Sequence, residues 1–202
     1  MKPIREGGLL VAVEGIDGCG KTSVSGLIAQ YCGERGIGCC YSKEPTGVGP
    51  GLKLRESAKA GRLTPEEELE MFLEDRRAHV ERSISPALAQ GYVVVLDRYY
   101  FSTMAYQGAR GFDPKEIQRR NEEFAPVPDL LLLLDLAPAG GLERIRKRGD
   151  IPNDFETLEA LQACKDIFDA IEAPYLRRIN AEKSVGEVWA DCREAFESVA
   201  NL

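Results

Sequence analysis

The chain has 202 residues, of which 44% are hydrophobic and 29% are charged, a composition typical of one soluble globular domain. Its net charge of -7 argues against a general nucleic-acid binder, because such proteins neutralise backbone phosphates with many lysines and arginines. No apolar stretch approaches the ~20 residues that cross a bilayer, and the first residues show no signal-peptide pattern, so we expect a cytoplasmic protein.

Five segments are predicted to be strands of one sheet. Three of them are almost continuously apolar, which is typical of parallel strands that are covered on both faces. The other two are weaker, and the last is predicted mainly from its position in the chain. The segments are, in chain order, Leu9–Glu14, Cys39–Ser42, Tyr92–Asp97, Leu130–Leu136 and Leu176–Ala181.

Helical patterns lie between these strands, and one of them begins with a threonine cap, Thr64, followed by a first-turn proline. The predicted helices are Lys21–Gly33, Thr64–Gln90, Lys115–Phe124, Gly141–Arg148, Glu156–Ala173 and Val185–Val199. The alternation predicts an α/β fold with a doubly wound, five-stranded parallel sheet and helices on both faces. No linker divides the chain, so residues 1–202 are expected to form a single domain.

A phosphate-binding motif, G-x-x-x-x-G-K-T, directly follows the first strand. Its glycines allow backbone N–H groups to turn toward an anion, and the helix that follows points its positive end at the same place. Lys21 can reach the β- and γ-phosphates, and the Thr22 hydroxyl can ligate Mg²⁺. The motif therefore predicts an ATP site at Gly15, Ile16, Asp17, Gly18, Cys19, Gly20, Lys21 and Thr22.

Asp97 and Arg98 stand at the end of the third predicted strand. A carboxylate at that place can hold the water shell of Mg²⁺, and an adjacent arginine can neutralise a phosphate. From these two residues alone, an ordinary surface ion pair is an equally good interpretation.

In chain order these and further motifs resemble those of the thymidylate kinase family, and the resemblance covers nearly the whole chain. The motifs are the family's form of the P-loop at Glu14–Thr22, Glu44-Pro45 followed by Leu54-Arg55, the pair Phe72 and Arg76, Asp97-Arg98-Tyr99, and the run Ser102–Gly108. The fold that the resemblance implies is the P-loop kinase fold, with a small helical lid at about residues 138–155.

The resemblance implies a substrate site for thymidylate (dTMP). Phe72 would stack on the base, Arg76 would donate to a base carbonyl, and Thr103 would bond the base edge. Tyr106 would lie against the sugar 2′ position, Asp17 would accept from the 3′-hydroxyl, and Arg55 and Arg98 would bind the phosphate. Glu44 and Gln107 belong to the same motifs and complete the predicted substrate site. From spacing alone, Phe72 could instead be a core residue and Arg76 solvated, and Glu14 could simply hold a loop.

The basic segment Gly141–Gly149 could be an ordinary solvated helix face, but its position after the fourth strand favours a lid over the phosphates. The resemblance implies a catalytic arginine from the P-loop or from this lid. Because the P-loop has no arginine, the lid is expected to supply it from Arg144, Arg146 or Arg148. We assign Arg148 to catalysis and Arg144 to nucleotide binding. Residues 150–154 lack a further arginine that relatives with this kind of lid often carry.

The function that the resemblance implies is Mg²⁺-dependent transfer of the ATP γ-phosphate to dTMP, giving dTDP and ADP for dTTP synthesis. Lys21, Arg98, Arg148 and Asp97 are the expected catalytic residues, and Thr22 and Asp97 the expected metal ligands. A homodimer is implied, with neither a nucleic-acid polymer nor a membrane as partner. Two alternatives stay open at this point: a kinase for another nucleotide, and a P-loop regulatory protein without kinase activity.

Overall fold

The strands form one five-stranded sheet, in which every adjacent pair of strands is parallel and the order is β2-β3-β1-β4-β5. The computed structural model describes residues 1–60, 63–149 and 156–202. The strands are β1 Leu9–Glu14, β2 Cys39–Lys43, β3 Val93–Asp97, β4 Leu130–Asp135 and β5 Leu176–Asn180. All five predicted strands are confirmed, with ends that differ from the prediction by one residue at most.

The position of each strand in the sheet explains how apolar it is. The three central strands, β1, β3 and β4, are buried along almost their whole length between helices on the two faces. The outer strands β2 and β5 are mostly half-buried or exposed, so they carry polar residues such as Ser42 and Arg177. This is why the sequence pattern is strong for three strands and weak for two.

Helices connect the strands, and several begin where the sequence places a cap. The Thr64 hydroxyl accepts a hydrogen bond from the backbone N–H of Glu67, and the Thr64 N–H donates to the Glu67 carboxylate, so the two residues form a capping box. The helices are α1 Lys21–Glu34, α2 Gly49–Ala60, α3 Pro65–His79, α4 Ser85–Ala89, α5 Tyr100–Gly108, α6 Pro114–Glu122, α7 Pro138–Arg148, α8 Leu158–Asp169 and α9 Val185–Ala200. Among the described residues, no helix has both the length and the apolar character that a membrane span requires.

Three differences from the predicted helices have physical causes. The predicted helix Thr64–Gln90 is divided, because a π-helical turn at Val80–Ile84 separates α3 from α4. Helix α2 was not predicted, since its first residues are Gly49, Pro50 and Gly51. Helix α5 was also missed, because it is buried on nearly all sides and therefore lacks an amphipathic pattern.

The sheet brings the predicted site segments together. The segments that follow β1, β2 and β3 all leave the sheet at the same edge, since parallel strands end on the same side. The P-loop, the Glu44–Arg55 segment and the Asp97–Tyr99 turn are therefore neighbours. Helix α7 supplies the predicted lid as far as Arg148, and residues 150–155 lie outside the described part of the chain.

Candidate active site

The P-loop conformation depends on glycine at two positions. Gly15 has a φ of 135°, and a Cβ atom there would lie 2.5 Å from the carbonyl oxygen of Leu134. Gly18 has a φ of 85°, and its Cβ would lie 2.4 Å from the carbonyl oxygen of Gly141 on α7. A side chain at either place would collide with backbone, so the phosphate loop packs directly against β4 and the lid helix.

Lys21 is buried inside this loop at the start of α1. Its Nζ donates to the carbonyl oxygens of Gly15, at 2.9 Å, and Ile16, at 2.8 Å, and lies 3.8 Å from Asp17 Oδ1. The first turn of α1 directs its N–H groups toward the same loop. The positive charge of Lys21 and the backbone N–H groups of α1 are thus concentrated at the P-loop.

The two predicted metal ligands contact each other. Thr22 Oγ1 donates to Asp97 Oδ2 at 2.5 Å, while Asp97 Oδ1 is buried without a hydrogen-bond partner among the described residues. Lys43 Nζ, which was not predicted, lies 3.1 Å from the same Oδ2. No group of three or more His, Cys, Asp or Glu side chains in the described ranges could hold a metal alone. The donors fit Mg²⁺, which typically takes one or two protein oxygens together with phosphates and water.

Two pockets open at this edge of the sheet, and they share two residues, Asp17 and Arg98. The first has a volume of about 210 Å³ and contains the predicted substrate residues. The second has a volume of about 480 Å³ and is lined by the P-loop, Thr22 and the start of α9. Below they are called the acceptor pocket and the donor pocket. Their junction at Asp17 and Arg98 is the place where groups bound in the two pockets would meet.

Arg98 reaches this junction from an unusual backbone conformation, with a φ of 74°. Such left-handed torsions are costly for a residue with a side chain and cluster at functional sites. Its guanidinium forms an ion pair with Asp17 and donates to Ser102 Oγ at 3.3 Å. Asp97 bonds Thr22 and Lys43 instead, so the interpretation of Asp97 and Arg98 as one surface ion pair was wrong.

Asp17 is held ionised by its neighbours. Burial opposes its charge, but Arg98 and Lys21 outweigh that effect, and together with a hydrogen bond from Tyr106 they keep the pKa of the Asp17 carboxyl well below its usual range. The Tyr106 hydroxyl donates to Asp17 Oδ2 at 2.9 Å. Tyr106, Asp17 and Arg98 therefore form one fixed polar group on the pocket wall.

Phe72 and Arg76 both line the acceptor pocket from α3. Arg76 is only 1% exposed, so the interpretation that it is solvated was wrong. It donates from Nε to Glu44 Oε2 at 2.8 Å, from Nη1 to Asn121 Oδ1 at 2.6 Å and from Nη2 to Thr103 Oγ1 at 3.1 Å. These partners fix the plane of the guanidinium at the inner end of the pocket.

Glu44 lines the same pocket and holds Arg76 in place. Its carboxylate bonds both Arg76 and His79, whose Nδ1 lies 2.9 Å from Oε1. Although burial opposes the charge, Arg76 and His79 lower the pKa of Glu44. His79 was not predicted, although it follows Arg76 by three positions on the same helix and could have been found that way. Nothing in the sequence indicated Asn121.

Arg55 lines the outer part of the acceptor pocket from α2. Its Nε donates to the carbonyl oxygens of Pro45, at 3.0 Å, and Thr46, at 3.1 Å. The loop that carries these carbonyls is tied to α3 by Asp75, which accepts from the backbone N–H groups of Thr46, at 2.7 Å, and Gly51, at 3.1 Å. Asp75 thus sets the position of the loop to which Arg55 is bonded.

Glu14 holds a loop, as one interpretation of the sequence proposed. It accepts hydrogen bonds from the backbone of Tyr99 at 2.7 Å and Ser102 at 3.0 Å, and from Ser102 Oγ at 2.5 Å. Burial raises the pKa of its carboxyl group. Glu14 therefore fixes the turn between β3 and α5, on which Arg98 lies.

The lid arginines differ in where they point. Arg144 and Arg148, four residues apart on α7, line the donor pocket, and Arg144 Nη2 donates to the carbonyl oxygen of Ala181 at 2.8 Å. Arg146 is exposed and is absent from the described lining of that pocket. The missing arginine of residues 150–154 falls outside the described residues.

Comparisons with known proteins agree on one family. The family model described as thymidylate kinase matches residues 13–192. The chain is 49% identical over 185 residues to a thymidylate kinase of Xanthomonas euvesicatoria pv. vesicatoria, covering 92% of this chain and 81% of the relative. It is also 49% identical over 189 residues to a thymidylate kinase of Akkermansia muciniphila, covering 94% of this chain and 91% of the relative.

Proposed function

The chain belongs to the thymidylate kinase family, and from this we infer that it is a dTMP kinase, which transfers the γ-phosphate of ATP to dTMP and yields dTDP and ADP. The observation that carries this function is the meeting of two pockets at Asp17 and Arg98. One pocket contains the residues predicted to bind a phosphorylated nucleoside, and the other is lined by the P-loop from Asp17 to Thr22. The alternative of a regulatory protein without kinase activity has no support in the comparisons.

In the acceptor pocket the base of dTMP lies against Phe72 and faces Arg76, which is a donor only and thus matches a base carbonyl. Tyr106 and Asp17 contact the sugar, where the fixed Tyr106 ring limits the room for a 2′-hydroxyl. Arg55 and Arg98 bind the phosphate, which directs it toward the donor pocket. Support for these roles comes from the presence of all six side chains in the lining of one pocket.

In the donor pocket the ATP phosphates lie over the P-loop, with Lys21 at the β- and γ-phosphates and α7 on the opposite side. Thr22 and Asp97 would hold Mg²⁺, which would neutralise part of the phosphate charge when bound with ATP. Arg144 and Arg148 are placed to add positive charge from the lid. We assign the catalytic role to Arg148 and nucleotide binding to Arg144.

The transfer needs no strong base, because the acceptor oxygen of dTMP is already anionic at neutral pH. This oxygen bonds to the γ-phosphorus as the bond from that phosphorus to the β–γ bridging oxygen breaks, so ADP leaves with the electron pair. Lys21, Arg98 and Arg148 surround the transferring group. Positioning and charge neutralisation therefore carry the catalysis.

The proposed substrate is tested by ADP formation from ATP and Mg²⁺ with dTMP, dUMP, dCMP, UMP, CMP and AMP as separate acceptors. We expect a strong preference for dTMP, and Lys21→Ala should lower turnover by about three orders of magnitude. Preference for another monophosphate would overturn the base site and keep the phosphotransfer. Folded protein that binds ATP and is inactive on all six acceptors would overturn the function.

We also propose a homodimer, which the family resemblance implies. Light scattering coupled to size-exclusion chromatography measures the mass directly. A mass near twice the 22.3 kDa of one chain is expected, and a monomer at micromolar concentration would contradict the proposal.

A further inference from the structure

Lys43 contacts both predicted metal ligands, and the transfer described above gives it no role. It is the last residue of β2 and is paired in register with Asp97, the last residue of β3, so both side chains lie on the same face of the sheet. Lys43 Nζ lies 3.1 Å from Asp97 Oδ2 and donates to Thr22 Oγ1 at 3.4 Å. In the described part of the chain, the ammonium group therefore contacts the same two side chains that would bind Mg²⁺.

The burial of Asp97 explains why a positive charge is needed beside it. Asp97 is 0% exposed, and a buried carboxylate is costly unless an opposite charge and hydrogen bonds compensate it. Its Oδ2 bonds Thr22 and Lys43, whereas Oδ1 has no hydrogen-bond partner among the described residues. Lys43 thus supplies a positive charge to the carboxylate that is expected to bind the metal.

Lys43 is also able to leave this position. Because β2 is an outer strand of the sheet, the Lys43 side chain is 43% exposed, and a lysine stem has several rotatable bonds. Lys43 lines the donor pocket together with the P-loop. Its ammonium group can therefore turn from Asp97 toward the phosphates of a nucleotide bound there.

We propose that the Lys43 ammonium group takes the place of a metal ion beside Thr22 and Asp97, so that Mg²⁺ binds well only together with the nucleotide. This inference rests on the proposed function for the identity of the two metal ligands, and it adds a residue that controls their use. A divalent cation that arrives alone is repelled by Lys43. A nucleotide brings phosphates that accept the ammonium group, which releases Asp97 for the metal.

The test measures the binding of Mn²⁺, which takes oxygen ligands as Mg²⁺ does, to the full chain without nucleotide. Electron paramagnetic resonance reports the concentration of unbound Mn²⁺ during the titration. Lys43→Met should lower the Kd for Mn²⁺ by about 10-fold, because it removes the competing charge, and solvent screening at this half-exposed side chain keeps the effect moderate. Lys43→Arg keeps the charge and should bind Mn²⁺ as weakly as the wild type.

Lys183→Met is the matched control. Lys183 lines the same pocket, but its ammonium group forms an ion pair with Asp191 at 2.6 Å and has no described contact with Thr22 or Asp97. The variant removes the same charge from the pocket, so the Kd for Mn²⁺ should stay within about 2-fold of the wild type. Equal gains in Lys43→Met and Lys183→Met would show a general charge effect and would overturn the inference.

A double variant locates the metal. Adding Asp97→Asn to Lys43→Met removes the carboxylate, so the gain in Mn²⁺ affinity should disappear. A gain that persists in the double variant would show that the metal binds elsewhere, which would refute the role of Lys43 beside Asp97.

Lys43→Gln covers the case in which Lys43→Met does not fold, because it keeps a polar group at the exposed end of the strand. It should also lower the Kd for Mn²⁺, and an unchanged Kd in a folded neutral variant would overturn the inference. The assay of the wild type with dTMP is independent of this result. Activity on dTMP together with an unchanged Kd would refute the role of Lys43 alone, whereas a wild type that is inactive on dTMP would refute the proposed function.

Discussion

Asp17 and Arg98 contact each other where the acceptor and donor pockets meet. Their pairing explains why the pKa of Asp17 is low, and it keeps a negative charge beside a site that must receive phosphates. An arginine that is already fixed by a carboxylate loses less conformational entropy when it binds a phosphate. The ion pair with Asp17 therefore holds Arg98 in position to bind a phosphate, and it does not weaken that binding.

The Asp17–Arg98 pair gives a pH prediction. Because the folded pKa of Asp17 is lowered, the pair contributes stability that is present above the unfolded pKa of about 3.9 and is lost as the pH falls toward the folded value. Urea unfolding of wild type and Asp17→Asn should therefore show a stability difference that is constant above about pH 5 and shrinks below about pH 4. A difference that grows on acidification would contradict this.

The lid arginines give a second prediction at this scale. Arg148→Gln should lower kcat by about 10²- to 10³-fold, and Arg144→Gln should mainly raise the KM for ATP, because both side chains line the donor pocket. Arg146→Gln is the matched control and should keep kcat within about 2-fold, since Arg146 lies on the same helix but is absent from the described lining of the donor pocket. Steady-state kinetics measures all three. A loss in Arg146→Gln equal to that in Arg148→Gln would refute the assignment.

At the scale of elements, helix α3 contributes three side chains to the lining of the acceptor pocket. Glu68, Phe72 and Arg76 follow each other at intervals of four, so they lie on one face of the helix and all line the pocket. Asp75 and His79 are buried on the same helix and bond to the segment after β2. A single helix thus sets the base end of the pocket and the loop that supports Arg55.

Helix α5 is held to the sheet by Glu14, which yields a third prediction. Glu14→Leu should lower the free energy of unfolding by about 2–4 kcal/mol, because it leaves the buried N–H group of Tyr99 and the Ser102 hydroxyl without their carboxylate acceptor. Glu14→Gln keeps a carbonyl acceptor of the same shape and should lose less than about 1 kcal/mol. Chemical denaturation measures both. Equal losses in the two variants would show that charge, not backbone hydrogen bonding, determines the effect.

At the scale of the whole molecule, the two pockets should act as one site. They share Asp17 and Arg98, and their walls come from segments that the parallel sheet gathers at one edge. The lid helix α7 packs on the P-loop at Gly18, so phosphates bound there lie between two backbone segments. Filling both pockets should therefore stabilise the fold more than filling either one.

This stabilisation can be measured with a bisubstrate analogue in which adenosine and thymidine are joined through a phosphate chain. At 1,000 times its Kd, it should stabilise the protein by about 4 kcal/mol, seen as a higher melting temperature. Removal of Mg²⁺ with a chelator should reduce the shift, and Asp97→Asn should make it less dependent on Mg²⁺. An analogue that stabilises no more than ATP alone would contradict a continuous site.

The sequence predicted the five strands and the P-loop because both depend on neighbouring residues. A buried parallel strand is a continuous apolar run, and a phosphate loop needs glycines and a lysine at fixed spacing. The pair Phe72 and Arg76 was predicted through the family resemblance, because their spacing alone also allowed a core phenylalanine and a solvated arginine. Helix α5 was missed because burial on all sides removes the polar face on which helix prediction relies.

The amino-acid sequence alone determined the sheet, the phosphate loop and, through family resemblance, the residues of the two pockets. Only the tertiary structure decided which partners fix those residues: Asn121 on Arg76, Glu68 on Gln107 and Glu14 on Ser102 are separated by 45, 39 and 88 positions in the chain. Hydrogen bonds at such separations leave no periodic pattern in a sequence. They exist because the parallel sheet and the helices packed on it bring distant segments within bonding distance, and they hold Arg76, Gln107 and Ser102 in the lining of the acceptor pocket.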